Sequence, residues 1–185
     1  MNTYLNYTTA WRKWTILFDR KDDTFWLASI FKYFLWERKK VTRAECWSSC
    51  RKDGVIQMSC SCGIYGVKYP DEKITNTISG EVALWGKMIE HQLGYRATYA
   101  YPLSFKQVCC SVCVNHFWPE GTRAMIYTPR APQIFSVYLY CIPCSTKFKS
   151  NIGTQAPSFI EGKLAGLEEV TTTELIKTLS KSYLE

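Results

Sequence analysis

The sequence predicts a β-rich α+β protein: an antiparallel sheet or small barrel that carries cysteine knuckles and ends in a helix. Three observations predict it. Gly80–Pro102 (GEVALWGKMIEHQLGYRATYAYP) alternates with period two on both sides of a turn at Gln92-Leu93-Gly94. Eight of the nine cysteines fall into four close-set pairs. Thr171–Leu184 places Leu175, Ile176, Leu179 and Tyr183 at helical spacing.

Taken in order, residues 1–10 are polar and read as a frayed start. Trp11–Asp19 and Thr24–Phe31 are β-branched and aromatic runs around Arg20-Lys21-Asp22-Asp23, which predicts a hairpin. Phe31–Trp36 fits a strand or the start of a helix equally well. Val41–Trp47 reads as a strand that delivers Cys46, and Asp53-Gly54 as the turn that brings Cys60 and Cys62 back towards it. Residues i and i+2 of a strand share a face, so Cys60 and Cys62 can reach one point.

Tyr69–Ser79 is a polar connector, with a helical turn expected at Pro70-Asp71. Within the central hairpin, strict alternation puts Val82, Leu84, Gly86, Met88 and Glu90 on one face, with Ala83, Trp85, Lys87, Ile89 and His91 on the other. Both faces are apolar, and a lone hairpin is marginal in water, so other elements must cover it. Asn115–Arg123 reads as a loop and Ala124–Tyr127 as a short strand, while Pro129 and Pro132 exclude a central strand after it. Ile134–Tyr140 is a strong strand leading to Cys141, with a second strand expected at Thr146–Lys149. Asn151–Pro157 resembles a linker. The closing helix has Thr171 or Thr172 as its cap and Glu174 in its first turn. The organisation is therefore a β-rich core over 1–150, followed by a linker and helix over 151–185.

Composition bounds the function. At 185 residues, 46% hydrophobic and 15% aromatic, the chain can bury a substantial core, which excludes disorder over most of its length. No apolar run approaches the ~20 residues of a membrane span. The first residues, MNTYLNYTTAWRKW, lack the pattern of a secretion signal, so a cytoplasmic location is expected. In a reducing compartment cysteines favour metal over disulfides. Cys110-x-x-Cys113 and Cys141-x-x-Cys144 are two knuckles at zinc-ribbon separation, and form the stronger quartet. Cys46, Cys50, Cys60 and Cys62 form the second, leaving Cys109 over.

Two structural zinc ions are the expected cofactors. Iron–sulfur ligation is a lesser alternative for the first quartet. For the second, Cys109 in place of another ligand, or cysteines packed without metal, also fit. The net charge of +7 becomes +3 once eight thiolates and two dications are counted (−8 + 4 = −4). The basic bias lies in residues 1–150, with 20 basic and 11 acidic side chains.

Only His91 and His116 are available as bases, and Cys109 is the spare thiol. No oxyanion loop or orienting partner accompanies them, so a cysteine-dependent enzyme is the weakest reading. All-cysteine ligation leaves no open metal position for catalysis. Glu90, His91 and Arg96 are the polar groups in the apolar centre. They read as an ion pair across the turn, or as a recognition site rimmed by Trp85, Tyr95 and Tyr99. Arg38, Lys39, Lys40 and Arg43, beside Trp36 and Trp47, pair phosphate-binding cations with stacking rings. A solvated strand edge accounts for the same run.

SCSCGIYGVK (59–68) and GEVALWGKMIEHQLGYRATYAYP (80–102) resemble a widespread family of uncharacterised bacterial proteins, whose pattern is CxCGIYA followed by GEVxLWGxVxEHxxGYRAxYAYP. The resemblance covers about residues 11–102. It implies that Cys46, Cys60 and Cys62 belong to one site. Family members place a histidine between them; this chain has none there, and Cys50 is assigned as the fourth ligand in its stead. The family carries no established activity. The expectation is a non-enzymatic, zinc-stabilised binding module whose partner is nucleic acid. The alternative is a protein–protein adaptor or inhibitor, with bacterium–phage conflict as one setting.

Overall fold

β1, Thr8–Asp19, is the strand through which the rest is tied together. It belongs to a computed structural model that describes residues 6–19, 21–30, 34–46, 56–70, 74–113, 116–117, 122–126, 134–147 and 169–185. The remaining strands are β2 (Thr24–Ser29), β3 (Thr42–Arg43), β4 (Ile64–Val67), β5 (Thr77–Glu90), β6 (Gly94–Pro102) and β7 (Gln107–Cys109). After them come β8 (His116–Phe117), β9 (Thr122–Ile126), β10 (Ile134–Cys141), β11 (Glu169–Thr171) and the C-terminal helix, Thr172–Tyr183. The architecture is a mostly antiparallel β-sheet with one closing helix, as the sequence predicts.

β1 is long enough to use both of its edges twice. Trp11 pairs with Glu81 of β5 and with Val67 of β4, so those strands lie on opposite edges. Further along, Leu17 pairs with Trp26 of β2 and Ser136 of β10. Because β4 pairs with β6 and β6 with β5, strands β1–β4–β6–β5 close into a ring. Closure removes the exposed edges of the central hairpin. From the ring the sheet extends through β10 to β9 and β11 on one side, and through β7 to β8 on the other.

The core follows from this closure. Trp14 and Trp36 are fully buried and meet edge to face at 5.4 Å, and Phe105 packs on Trp14 at 5.7 Å. Leu175, Leu179 and Tyr183 bring the C-terminal helix into the same cluster. Burial of each such side chain contributes roughly 1.5–3 kcal/mol. Tyr183 also locks the helix by hydrogen bonds. Its hydroxyl accepts from Leu27 N at 2.9 Å and donates to the Trp36 carbonyl at 3.0 Å, while its own carbonyl accepts from Tyr101 Oη at 2.6 Å. Thr171 is the cap, in a capping box with Glu174. The helix at 172–183 thus shares the core of the strands, although it is remote from them in sequence.

Several boundaries differ from the sequence reading. The hydroxyl-rich Thr77–Ser79 is not connector but the start of β5. It pairs with β1 on one edge and β7 on the other, and buries Thr77 and Ser79. Of the described part of Val41–Trp47, residues 41–46, only Thr42–Arg43 forms strand, on the stretch of β6 that β4 leaves over. Phe34–Trp36 runs beside β2, with Trp36 N donating to the Leu27 carbonyl at 2.9 Å. His116–Phe117 and Thr122–Arg123, expected in a loop, belong to β8 and β9. Residues 142–147 are helical, so no second ribbon strand leaves at Thr146. The expected linker at 151–157, Asp71 and Asp53-Gly54 lie outside the described residues.

The central hairpin departs from strict alternation at one point. A bulge lies between Trp85 and Met88: Trp85 pairs with Tyr99, but Met88 pairs with Ala97. One extra residue in β5 exchanges its two faces beyond that point. Gly86 makes the bulge, with a φ of +81°, and a Cβ there would sit 2.7 Å from the Tyr99 ring. Ile89 therefore lies opposite Arg96, and Glu90 opposite Tyr95.

Candidate metal centres

The two edges of β6 explain where the upstream cysteines meet. Arg96 pairs with Ile89 of β5 and with Tyr65 of β4, whereas Ala100 pairs with Leu84 of β5 and with Thr42 of β3. β3 and β4 therefore share the edge of β6 that faces away from β5. At their junction Ala44 N donates to the Thr98 carbonyl at 2.7 Å, which directs the chain to Cys46. Cys60 and Cys62 arrive just before β4. Cys46, Cys60 and Cys62 have their sulfurs mutually within 4.8 Å, with Cys46 and Cys60 Sγ 3.6 Å apart. Cys50, the expected fourth ligand, lies outside the described residues.

Under this cluster lies Arg96, only 2% exposed. It donates through Nη1 to the carbonyls of Cys60 and Cys62, the latter at 3.0 Å, and through Nη2 to the Gln57 carbonyl at 3.1 Å. One guanidinium thus holds the loop that presents two thiols. Gly63 makes room for it: φ is +125°, and a Cβ there would collide with the Arg96 side chain. Among the described residues no carboxylate pairs with Arg96. The sequence expectation of a Glu90–Arg96 ion pair is overturned, since the bulge sends the two side chains to opposite faces. Glu90 pairs instead with Lys68 at 2.6 Å. His91 is exposed at the turn and lines one concavity with Arg96, whereas Glu90 and Trp85 lie outside it, Trp85 stacking on Tyr99 at 6.0 Å, so only part of the expected set comes together.

The downstream centre is built from strand ends. β7 runs into the turn at Cys110–Cys113, and β10 ends on Cys141 before the helical segment 142–147 carries Cys144. All four sulfurs lie within 4.8 Å of one another, and Cys113 and Cys141 Sγ are 3.8 Å apart. Four thiolates at 2.3 Å from a tetrahedral ion have sulfur–sulfur edges of about 3.8 Å, so the cluster has the dimensions of a closed metal site. Amide N–H groups of Cys141 (3.4 Å) and Val112 (3.5 Å) point at Cys110 Sγ. Burial raises the Cys110 pKa, but these amides, that of Cys113 and the Cys113 thiol outweigh it and bring the thiol down to about 7. Burial pushes Cys141 up to about 12. Such a set holds thiolate charge best when a cation shares it.

Two residues that the sequence reading passed over fasten this centre. Asn76 Oδ1 accepts from Leu139 N (2.9 Å) and Ser111 Oγ (2.8 Å), and Ser111 N donates to the Leu139 carbonyl at 2.7 Å. Asn76 has a φ of +56°, a conformation asparagine adopts more readily than most residues, and its place just before the β5 run was the available signal. Cys109 belongs to neither cluster. It is 2% exposed on β7, opposite His116 of β8, and so presents no solvent-facing nucleophile.

The basic run is partly spent on the fold. Trp36 is fully buried and cannot stack on a base. Arg38 lies over Trp26 at 4.3 Å and donates to the Phe25 carbonyl at 2.8 Å. Lys40 pairs with Glu37 at 2.5 Å in an exposed ion pair, while Lys39 and Arg43 are exposed. Trp47 lies outside the described residues. Among the described residues no helix is long and apolar enough to cross a membrane. No protein-family model, curated protein or solved structure matches this chain.

Proposed function

We propose that this protein is a non-enzymatic binding module of the cytoplasm, stabilised by two structural zinc ions. Support comes from the four sulfurs of Cys110, Cys113, Cys141 and Cys144, all within 4.8 Å of one another and approached by amide N–H groups. A set of four thiols leaves no open position for substrate or water, which favours a structural ion over a catalytic one. Cys46, Cys60 and Cys62 hold the second ion, with Cys50 completing the set. Membership of the bacterial family that 59–68 and 80–102 resemble is part of the same reading. Elemental analysis of the reduced protein tests it: two equivalents of zinc are expected, and iron or no metal refutes it.

The partner on this reading is nucleic acid, contacted at phosphates by Lys39, Lys40 and Arg43. With Trp36 buried, these contacts carry charge but little base stacking, so binding should be insensitive to sequence and fall steeply with salt. Reversal of Lys39, Lys40 and Arg43 to glutamate should abolish binding to a fluorescent oligonucleotide; retained affinity refutes the nucleic-acid reading. A second reading, a protein adaptor or inhibitor, draws on exposed apolar side chains beside the upstream centre. Met58 (76% exposed), Leu93 (73%) and Tyr65 (46%) rim an open concavity next to Arg96. A salt-tolerant complex lost in Leu93→Asp would favour it.

A further inference from the structure

The ring of strands has a gap. Trp11 pairs with Val67 of β4 and Trp14 with Ser29 of β2, and the sheet parts around Arg12 between those two pairings. The gap opens into a cavity of about 450 Å³, within the ~300–1,000 Å³ of small-molecule sites. Its walls are largely apolar, with Trp11, Ile30, Phe34 and Tyr65 among them. Among the described residues its charged groups are Arg12, Lys13, Arg43 and Glu45, three cations against one carboxylate, and Arg43 and Glu45 are exposed.

Arg12 is the group that asks for a ligand. Its Nη1 donates to the Tyr65 carbonyl and its Nη2 to Ser29 Oγ at 2.9 Å, and the guanidinium lies 5.0 Å from the centre of the Trp36 ring. These partners are all neutral. Nε is buried with no hydrogen-bond partner, and no carboxylate of the described residues pairs with the cation. Burial lowers its pKa to about 10. Arg12 is half-buried, and a cation partly withdrawn from water with no counter-charge beside it marks a candidate ligand site. A guanidinium presents a planar fork that matches carboxylate or phosphate, while the apolar walls match a ring system.

We propose that this cavity binds a small organic anion with an aromatic body, its carboxylate or phosphate on Arg12 and its ring against Trp11, Phe34 and Tyr65. The volume takes a molecule no larger than about a mononucleotide. The cavity borders the upstream centre, since Cys62 and Gly63 line it, and it shares Arg43 with the proposed phosphate contacts; Arg12 itself belongs to neither, so its variants separate this proposal from the function proposed above.

The test uses 8-anilinonaphthalene-1-sulfonate, an aromatic anion that fluoresces in apolar sites, titrated into the zinc-loaded full chain. Saturable binding of about one equivalent is expected, displaced by indole-3-acetate if the native ligand is a carboxylate, or by adenosine monophosphate if it is a phosphate. Arg12→Gln should weaken binding roughly tenfold or more, and Arg12→Lys less, since it keeps the charge but not the fork. Ile30→Trp fills the cavity without touching Arg12 and should abolish binding, which decides the matter should Arg12→Gln fail to melt cooperatively. Equal affinity in wild type and Ile30→Trp, or no displacement by either competitor, would overturn the proposal.

Discussion

Downstream, Cys110 and Cys141 stand at the ends of hydrogen-bonded strands; upstream, Cys60 and Cys62 stand on a loop. Cys110 and Cys141 are fully buried at the ends of β7 and β10, and Asn76 and Ser111 tie those ends together. Upstream, Cys46 and Cys60 are half-buried, and a buried arginine holds the loop by its carbonyls. The residues around that loop, Ile56, Cys62 and Ile89, form a small cluster separate from the main core. A centre framed by paired strands shares the stability of the sheet. A centre framed by a loop must be ordered by its own ion and by the one side chain beneath it.

The largest expected effect comes from breaking that symmetry of composition directly. Cys141→Ser should remove one zinc equivalent and the cooperative thermal transition together, because structural zinc is worth ~10–16 kcal/mol against a net domain stability of ~5–15 kcal/mol. Cys60→Ser should also release one equivalent but leave a cooperative melt at lower temperature, since its cluster lies outside the main core. Elemental analysis beside calorimetry checks both. Two variants with the same melting behaviour would show that the centres are energetically equivalent.

A smaller effect sharpens the comparison at Arg96. Arg96→Gln should weaken cobalt binding at the upstream centre by about tenfold, read from thiolate-to-cobalt absorption, and leave the downstream centre unchanged. Arg96→Lys should not rescue it, because a single ammonium nitrogen cannot take the places of the two guanidinium nitrogens that reach the Cys60 and Cys62 carbonyls on one side and the Gln57 carbonyl on the other. Smallest is Tyr183→Phe, which touches neither centre. It strands Leu27 N–H and the Trp36 carbonyl and should cost about 1–3 kcal/mol in denaturant unfolding, with both metals retained. Metal loss in that variant would mean that the helix and the centres are coupled.

Local pattern reached far into this protein. Alternation in 80–102 announced β5 and β6, the C-x-x-C spacings announced the downstream quartet, and Thr171 with Glu174 announced the helix start. These are legible because each depends on neighbours within a few residues: a strand's two-residue period, a knuckle's bite, a cap's reach to the third amide. The errors share a cause as well. Thr77–Ser79 looked like loop because its hydroxyls suit turns, and it became strand because two strands flank it. Trp36 looked like a stacking ring because cations follow it, and it is core because Trp14 and Tyr183 close over it.

Residue identities alone therefore decided the central pair of strands, the downstream thiols that could share an ion and where the helix would begin. The fold decided the rest. One extra residue at Gly86 turned Arg96 away from Glu90 and under the upstream thiols. The parting of β2 from β4 around Arg12 left a cation facing a cavity. Both outcomes turn on register and on which strand occupies which edge, and those depend on partners dozens of residues away in the chain.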